Sequence, residues 1–305
     1  MTETLEARVV ATFGRHMTVR DAQGRERRAR PLGRSLTVVC GDEVRCRADA
    51  RHDELHVIEV LPRRSALYRA NLRGGSEPVV ANLTQLLVVL APLPQPDLFV
   101  VDRYLAAAAS AGLTATLVVN KQELGVDAAL AAELAAYAAA GYAAVHCSAH
   151  TGEGAGPLLA ALPEGAVAAL VGQSGVGKSS LVLRLLPAER VAVGELVREA
   201  EGRHTTTAAR MFELPGKRAL IDSPGVRDFA PAIDRLEPRG LGFPEVARLA
   251  PDCRFLDCAH LREPGCAVRD AAEAGTLHAR RYESYRRLRR LREKLLAQRG
   301  PQRRR

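Results

Sequence analysis

One segment of the chain has the residue types that wrap a polyphosphate. Residues 172–179 read Gly-Gln-Ser-Gly-Val-Gly-Lys-Ser, which satisfies the pattern G-x-x-x-x-G-K-[ST]. Glycines let successive backbone N–H groups turn toward phosphate oxygens, the lysine neutralises the β- and γ-phosphates, and the next hydroxyl ligates Mg²⁺. Apolar residues predict a strand over Ala166–Val171 and a helix over Lys178–Leu186 on either side. We therefore predict a nucleoside triphosphate site with Lys178 as a catalytic residue and Ser179 as a Mg²⁺ ligand. The predicted nucleotide contacts are Gly172, Gln173, Ser174, Gly175, Val176, Gly177, Lys178, Ser179 and Ser180.

A second segment has the pattern of a γ-phosphate sensor. Asp222-Ser-Pro-Gly225 begins 44 residues after Lys178, at the end of a predicted strand over Arg218–Ile221. It matches D-x-x-G, in which the carboxylate binds Mg²⁺ through water and the glycine amide reaches the γ-phosphate. The interpretation depends on the phosphate loop, because this tetrapeptide alone is a common turn. We predict that Asp222 and Gly225 contact the nucleotide and that Asp222 supports Mg²⁺.

The stretch between these two segments contains three consecutive threonines, in Gly202-Arg-His-Thr-Thr-Thr207. A threonine on a loop at this place can ligate Mg²⁺ when a γ-phosphate is present. We assign that role, and a catalytic one, to Thr206. A plain polar surface loop remains the alternative.

Two segments upstream have residues suited to a purine base. Asn120-Lys-Gln-Glu123 follows a predicted strand over Ala115–Val119 and resembles the N-K-x-D element of GTPases. Its acid accepts hydrogen bonds from the ring N–H and the amino group of guanine, which adenine cannot supply. Glu123 is one methylene longer than the usual aspartate. Ser148-Ala149 follows another predicted strand, over Ala143–Cys147, and resembles the S-A element that supports the base. The predicted base contacts are Asn120, Lys121, Gln122, Glu123, Ser148 and Ala149.

The order of these segments is unusual. Ras-like domains place the phosphate loop first and the base-reading elements last, whereas here the base-reading elements precede the phosphate loop. The same set of strands is therefore expected in a circular permutation. The chain then runs from the γ-phosphate sensor directly into the C-terminal region, so movement of the sensor would pull on that region.

Four residues near the C-terminus have metal-ligand spacing. Cys253-x4-Cys258-x-His260-x5-Cys266 offers three thiolates and one imidazole within 14 residues. Four soft ligands suit a structural, tetrahedral Zn²⁺, one ion per chain, and leave no open position for catalysis. The alternative is that these cysteines are buried as small apolar residues. The remaining thiols, which we expect in cores, are Cys40, Cys46 and Cys147.

The positive charge is concentrated at one end. The 305 residues carry a formal net charge of +9. Residues 280–305 contain 12 basic and 2 acidic side chains, a net of +10, so the rest of the chain carries −1. A helix is predicted over Leu277–Ala297, and it is compatible with a solvated face, a membrane-surface helix or an RNA-binding helix. The narrow apolar stripe of this helix consists of Tyr285, Leu288, Leu291 and Leu295.

Composition excludes several classes of protein. Hydrophobic residues make up 47% of the chain, so it can bury cores and is not a disordered sequence. The first residues lack a basic region followed by an apolar one, and no apolar run reaches the roughly 18–20 residues of a membrane helix. We therefore expect a soluble cytoplasmic protein that does not enter membranes.

The order of predicted strands and helices along the chain indicates two fold types. Residues 5–62 show short strands separated by turns, which favours a small barrel, first an OB-fold and second an SH3-like barrel. From about Leu83, strands alternate with helices such as Asp97–Ala111 and Asp127–Ala139, which favours a parallel α/β sheet. The strands predicted for the barrel are Glu6–Phe13, Met17–Asp21, Leu36–Val39, Glu43–Ala48 and Glu54–Val60.

Taken together, these motifs resemble one family, the ribosome small-subunit-dependent GTPase A (RsgA) family. The resemblance rests on NKQE, SAHTGEG, GQSGVGKSS, GRHTTT, DSPGV and FLDCAHLREPGCAV in that order, and covers nearly the whole chain. It implies slow GTP hydrolysis stimulated by the small (30S) ribosomal subunit and a role late in its maturation. It also implies contacts with rRNA, and we expect a monomer. The implied domains are an OB-fold over residues 1–64, a permuted P-loop GTPase over 65–228 and a mostly helical zinc-binding domain over 229–305.

Two residues bear on how hydrolysis would occur. Ras-like enzymes place a glutamine directly after D-x-x-G, but here that position is Val226, which cannot orient water. His204 precedes the threonines and can accept a hydrogen bond when neutral, so it is our catalytic candidate. A contact with RNA is the competing role for His204. Two other functions stay open: a P-loop ATPase or kinase, and an RNA-binding scaffold that holds nucleotide without turning it over.

Overall fold

The computed structural model describes residues 4–33, 35–48, 54–71, 75–186, 208–227 and 229–299. Its N-terminal part is a closed five-stranded barrel in the order β1-β2-β3-β5-β4, with β4 pairing back onto β1. Strand β3 runs parallel to β5 and the other pairs are antiparallel. This arrangement is the predicted OB-fold. The strands are β1 Thr4–Phe13, β2 His16–Asp21, β3 Glu26–Pro31, β4 Glu43–Ala48 and β5 Leu55–Val60.

One predicted barrel strand is wrong. The third strand is Glu26–Pro31, and Leu36–Val39 is irregular. In the sequence ERRARP only Ala29 is fully buried in the barrel, while Arg27 and Arg28 are exposed. Val39 instead donates its backbone N–H to the Asp42 carboxylate at 2.8 Å, so this segment closes a turn.

The central part is a six-stranded sheet in the order β10-β9-β8-β11-β13-β12. All neighbours are parallel except β12, which is antiparallel to β13. On the side away from β13, strand β12 pairs with β1 of the barrel, where Ala11 lies opposite Arg210. One hydrogen-bonded sheet therefore joins both parts. The strands are β8 Gln85–Leu90, β9 Thr114–Val119, β10 Ala143–His146, β11 Val167–Gly172, β12 Ala208–Leu214 and β13 Arg218–Asp222.

Helices cover both faces of this sheet, as continuous apolar strands require. Successive residues of β8 alternate between two buried clusters: Leu86 and Val88 lie in the cluster that includes Leu105, and Leu87 lies in the one that includes Leu181. Asp97 and Asp127, where two of the predicted helices begin, accept backbone N–H bonds as the N-caps of α1 and α2. The helices are α1 Leu98–Ser110, α2 Ala128–Ala139, α3 Ala155–Ala160 and α4 Lys178–Leu185.

A hairpin that the sequence analysis missed lies between the barrel and the sheet. Strands β6 Ala66–Ala70 and β7 Ser76–Ala81 form a separate antiparallel pair. Arg69 of this hairpin forms an isolated bridge to Pro231, just beyond the segment that follows β13. The hairpin therefore connects the start of the sheet domain to the beginning of the C-terminal region.

The C-terminal part is mostly helical, as predicted. Its core contains Leu241, Phe243 and Val268, together with Tyr285 and Leu288 from the predicted apolar stripe. The stripe is only half buried, because Leu291 is exposed. None of the helices within the described ranges is both long and apolar enough to cross a membrane. The helices are α5 Pro224–Arg227, α6 Pro244–Leu249, α7 Ala267–Glu273 and α8 Ala279–Arg299.

Candidate nucleotide and metal sites

The predicted phosphate loop joins the carboxyl end of β11 to the start of α4, at the centre of the sheet. Gly172 has φ +147°, and a Cβ there would lie 2.2 Å from the Val89 carbonyl oxygen. Gly177 has φ +92°, and a Cβ there would lie 2.3 Å from Nδ2 of Asn120. Both positions therefore require glycine, and the loop backbone lies directly against the neighbouring strand end.

Lys178 lies across this loop. Its side chain is largely buried, and Nζ donates to the carbonyl oxygens of Gly172 at 2.6 Å and Gln173 at 2.8 Å. The ammonium group is therefore held over the loop by the first turn of α4. A phosphate group cradled by the loop would lie within reach of this charge and of the α4 N-terminus.

Asn120 joins three of the predicted segments. Its Nδ2 donates to the Val176 carbonyl oxygen in the phosphate loop at 2.8 Å, and its Oδ1 accepts from the Ala149 N–H at 2.9 Å. Lys121, with φ +60°, donates from Nζ to the carbonyl oxygens of Leu93 and Gly175 at 2.8 and 2.7 Å. The structure therefore brings both base-reading segments against the phosphate loop.

Glu123 is exposed on a short 3-10 turn, next to the strand end that carries Ser148. A hydrogen bond from the Ser148 side chain lowers the pKa of the Glu123 carboxyl, and the Glu123 N–H adds to this effect. Gln122 lies on the same turn, and its N–H donates to the Cys147 carbonyl oxygen at 3.1 Å. The arrangement therefore keeps Glu123 ionised as an acceptor on the surface beside Ala149.

The γ-phosphate sensor segment lies next to the loop. Asp222 ends β13, and the Gly225 N–H donates to the Ser223 hydroxyl at 3.2 Å. Val226 is 1% exposed and belongs to the core, so its side chain is covered by the protein. His204 and Thr206 lie outside the described residues.

Arg227 is a residue of this site that the sequence analysis missed. Its Nη1 donates to the Ser179 hydroxyl at 2.9 Å, and its Nε donates to the Asp222 carboxylate at 2.7 Å. A second contact joins Nη2 to the other oxygen of the Asp222 carboxylate. The two predicted Mg²⁺ ligands therefore converge on one cationic group. The only signal in the sequence was an arginine five positions after Asp222.

The four predicted metal ligands come together. Cys253 Sγ lies 3.4 Å from His260 Nδ1 and 3.9 Å from Cys266 Sγ, and Cys266 Sγ lies 3.5 Å from His260 Nδ1. With Cys258, all four ligand atoms lie within 4.8 Å of one another. A tetrahedral ion with metal–sulfur bonds of about 2.3 Å and metal–nitrogen bonds of about 2.0 Å needs ligand separations of about 3.5–3.8 Å. The cluster can therefore hold a metal ion.

Surrounding groups fix the backbone of this cluster. The hydroxyl of Tyr282 donates to the His260 carbonyl oxygen at 2.8 Å, and that of Tyr285 donates to the Ala259 carbonyl oxygen at 3.0 Å. Glu263 accepts backbone N–H bonds from Ala259, Leu261 and Arg262. Burial lowers the pKa of His260, which favours the neutral imidazole that metals bind. Helix α8, which carries both tyrosines, is therefore part of the metal-binding unit.

Comparison with known proteins agrees with this architecture. The sequence profile of the RsgA GTPase family matches residues 60–231. A protein of Azotobacter vinelandii named small ribosomal subunit biogenesis GTPase RsgA is 45% identical over 253 residues, which cover 82% of this chain and 73% of that protein. A Pseudomonas aeruginosa protein of the same name is 41% identical, with 91% of this chain and 83% of that protein covered.

Two solved structures share the fold over nearly the whole chain. The crystal structure of YjeQ from Thermotoga maritima is 25% identical with a TM-score of 0.72, and the match covers 95% of this chain and 99% of that one. The structure of YloQ, described as a circularly permuted GTPase, is 21% identical with a TM-score of 0.69, and covers 96% of each chain. The permuted order predicted from the motifs is therefore confirmed.

Proposed function

The chain belongs to the RsgA GTPase family, and we propose that it hydrolyses GTP while it assists the late maturation of the small ribosomal subunit. The observation that carries this proposal is the position of Asn120, which hydrogen-bonds to both the phosphate loop and Ala149. A guanine held by Glu123 would thereby be connected through Asn120 to the loop that cradles its phosphates. Such a carboxylate does not suit a P-loop ATPase, because adenine lacks a ring N–H beside its amino group and cannot make the same pair of hydrogen bonds.

We assign the Mg²⁺ site to Ser179, Asp222 and Thr206. The first two provide a hydroxyl and a carboxylate, the hard oxygen donors that Mg²⁺ prefers, and both already converge on one cation, the Arg227 guanidinium. These residues would hold Mg²⁺ beside the phosphates, where its charge would offset negative charge that develops during phosphoryl transfer. Lys178 supplies a second positive charge at the same phosphates.

Intrinsic turnover is proposed to be slow, because Val226 is buried at the position where Ras-like enzymes place a glutamine. His204 is the proposed residue that orients water, and docking on the ribosomal subunit is proposed to place it correctly. The barrel, hairpin and C-terminal helices pack around the GTPase sheet, so a bound partner can act on the sensor segment through them.

For the four-ligand cluster we propose one structural Zn²⁺. Three thiolates and one imidazole favour zinc over harder ions, and the four ligands leave no open position. For the partner we propose the small (30S) ribosomal subunit and its rRNA, contacted by the exposed basic side chains of α8, with the protein acting as a cytoplasmic monomer. Those side chains include Arg287, Arg290 and Lys294.

The test is GTP hydrolysis measured against added small subunits across a salt series. We expect low basal turnover, strong stimulation that weakens as salt rises, and competition by GDP but not by ADP. Competition by ADP would favour the ATPase alternative. Tight GTP binding without phosphate release, with and without subunits, would favour the nucleotide-holding scaffold.

A further inference from the structure

A guanidinium group occupies the place between the two proposed Mg²⁺ ligands. Arg227 donates to the Ser179 hydroxyl at 2.9 Å and makes a two-point contact with the Asp222 carboxylate. The Arg227 side chain is 23% exposed and that of Asp222 is 13% exposed, so the pair is shielded from solvent more than an ordinary surface ion pair. Paired, two-point arginine–carboxylate contacts are among the strongest and most directional hydrogen bonds.

A Mg²⁺ ion bound to the Ser179 hydroxyl, and through water to the Asp222 carboxylate, would need the space that the Arg227 guanidinium now fills. Mg²⁺ takes its ligands at about 2.0–2.1 Å and keeps several waters, so the ion and its waters would crowd a guanidinium 2.9 Å from that hydroxyl. A guanidinium so close to a divalent ion would also be repelled by it. Arg227 and Mg²⁺ therefore compete for Ser179 and Asp222.

The backbone of Arg227 is fixed next to the γ-phosphate sensor segment. Arg227 is the last residue of α5, directly after Val226, whose buried side chain anchors that short helix to the core. The N–H of Arg227 also donates to the Ser223 carbonyl oxygen at 3.0 Å. The side chain can swing away from Ser179 while its backbone stays fixed, so displacement requires no rearrangement of α5.

We propose that Arg227 is a built-in counter-cation of the Mg²⁺ site. It holds the Ser179 hydroxyl and the Asp222 carboxylate in position, is displaced when Mg²⁺ arrives with nucleotide, and thereby sets the Mg²⁺ concentration at which nucleotide is retained. This inference rests on the proposed function, because it concerns the same GTP site. It assigns Arg227 a positioning role.

The test measures dissociation of a fluorescent GDP analogue across a range of free Mg²⁺ concentrations. Replacing the arginine, Arg227→Gln, should shift the half-point to about tenfold lower Mg²⁺, the scale expected when a competing charge-assisted hydrogen bond is removed. The conservative Arg227→Lys keeps the charge and should lie closer to the wild-type half-point.

A matched control is Arg20→Gln. Arg20 is 20% exposed and pairs with Glu26 and Glu213, so this change also removes one positive charge from a paired, half-buried arginine, but on the barrel. Its half-point should equal that of the wild type. Thermal unfolding adds a second measure: Arg227→Gln should lower Tm without nucleotide, and this deficit should shrink when Mg²⁺ and GDP are added.

Two results would overturn the inference in different ways. Normal GDP retention with an unshifted half-point in Arg227→Gln, or a shift to higher Mg²⁺, would overturn the counter-cation role alone. A wild-type protein that fails to retain the GDP analogue at any Mg²⁺ concentration would overturn the proposed function and the inference together.

Discussion

Arg281 of α8 is buried against Asp102 of α1, with each side chain 1% exposed and Nη1 lying 2.6 Å from Oδ1. Arg281 also donates to Glu245 of α6 at 2.7 Å, and Tyr137 donates its hydroxyl to Asp102 at 2.8 Å. A buried charge is tolerated only when it is paired and hydrogen-bonded, and this network supplies both. The C-terminal helix is therefore fixed to the GTPase sheet by a specific polar contact in addition to apolar packing.

Helix α1 connects this buried contact to the nucleotide site. At the start of α1, the N–H of Asp97 donates to the Gln173 side chain in the phosphate loop at 3.0 Å. Near that end, the guanidinium of Arg287 lies 4.0 Å from the centre of the Phe99 ring. Helix α1 thus touches both the phosphate loop and the basic helix α8, so a partner bound to α8 has a direct physical route to the loop.

Removing the buried carboxylate of Asp102 should destabilise the fold. Asp102→Ala leaves Arg281 with only part of its charge compensation, and we expect the free energy of unfolding to fall by about 3–5 kcal/mol. Chemical denaturation monitored by circular dichroism measures this loss. The control is Glu26→Ala, which breaks an exposed contact with Arg20 and should cost under about 1 kcal/mol. Equal losses of unfolding free energy in the two variants would mean that the buried pair stabilises the fold no more than a surface pair does.

The phosphate loop and metal cluster could be predicted because their chemistry is local. Each is set by residues within a few positions of one another, and the flanking strands and caps, such as Asp97, are local as well. The turn after β2 is local in the same way, since the Asp21 carboxylate accepts the Gln23 N–H at 3.0 Å. Short-range signals of this kind do not depend on the tertiary fold.

Long-range contacts could not be predicted. Strand β3 is mostly arginine and glutamate and becomes a strand only through pairing with β2 and β5. Arg227 meets Ser179 across 48 positions of sequence. Arg280 and Arg281 lie in the basic C-terminal segment, but both pair with acids of other elements, so their charge is not available to a partner.

The carboxylate of Glu123 should control guanine affinity. Glu123→Ala removes the acceptor of two guanine hydrogen bonds, and we expect GDP affinity to fall about a hundredfold, with no change in the weak affinity for ADP. Isothermal titration with both nucleotides provides the measurement. Glu153→Ala removes another exposed acid nearby and is the control. Equal losses for GDP and ADP would show that Glu123 does not read the base.

The pH dependence of GDP affinity follows from the same residue. The Ser148 hydrogen bond holds the pKa of Glu123 below its ordinary value of 4.5, so the carboxylate stays ionised at neutral and mildly acidic pH. The contribution of a carboxylate with a lowered pKa is present above that pKa and is lost as the pH falls through it. The ratio of the GDP affinities of the wild type and Glu123→Ala should therefore be flat between about pH 8 and pH 5, because the phosphates of GDP titrate alike with both proteins. A decline of this ratio centred near pH 6 would contradict this assignment.

The metal cluster should be necessary for the C-terminal fold. Cys258→Ser replaces one of four ligands, and we expect bound metal to fall from one equivalent toward zero with a lower Tm, because metal affinity contributes to folding. Elemental analysis and thermal unfolding measure both effects. Cys46→Ala, at a buried thiol of the barrel outside the cluster, should retain one equivalent. Full metal content in Cys258→Ser would exclude four-ligand binding.

The exposed end of α8 should serve partner binding more than nucleotide binding. A chain that ends at Arg290 keeps the packed residues Tyr285 and Leu288 but loses six basic residues and one acidic residue. Binding to small subunits should weaken, and the slope of log affinity against log salt should fall by about 0.7–0.9 for each lost phosphate contact. GDP affinity should not change. A parallel loss of both affinities would place α8 in the nucleotide site instead.

Hydrolysis should depend on His204, because Val226 is buried and cannot orient water. We expect His204→Ala to lower the single-turnover rate with small subunits by about a hundredfold or more, while GDP affinity stays unchanged. The basal rate without subunits should change less, since the partner is expected to place this residue. His16→Ala removes a largely exposed histidine of the barrel and is the control. A normal stimulated rate in His204→Ala would exclude the catalytic role, and weaker subunit binding with normal turnover at saturation would favour a contact with RNA.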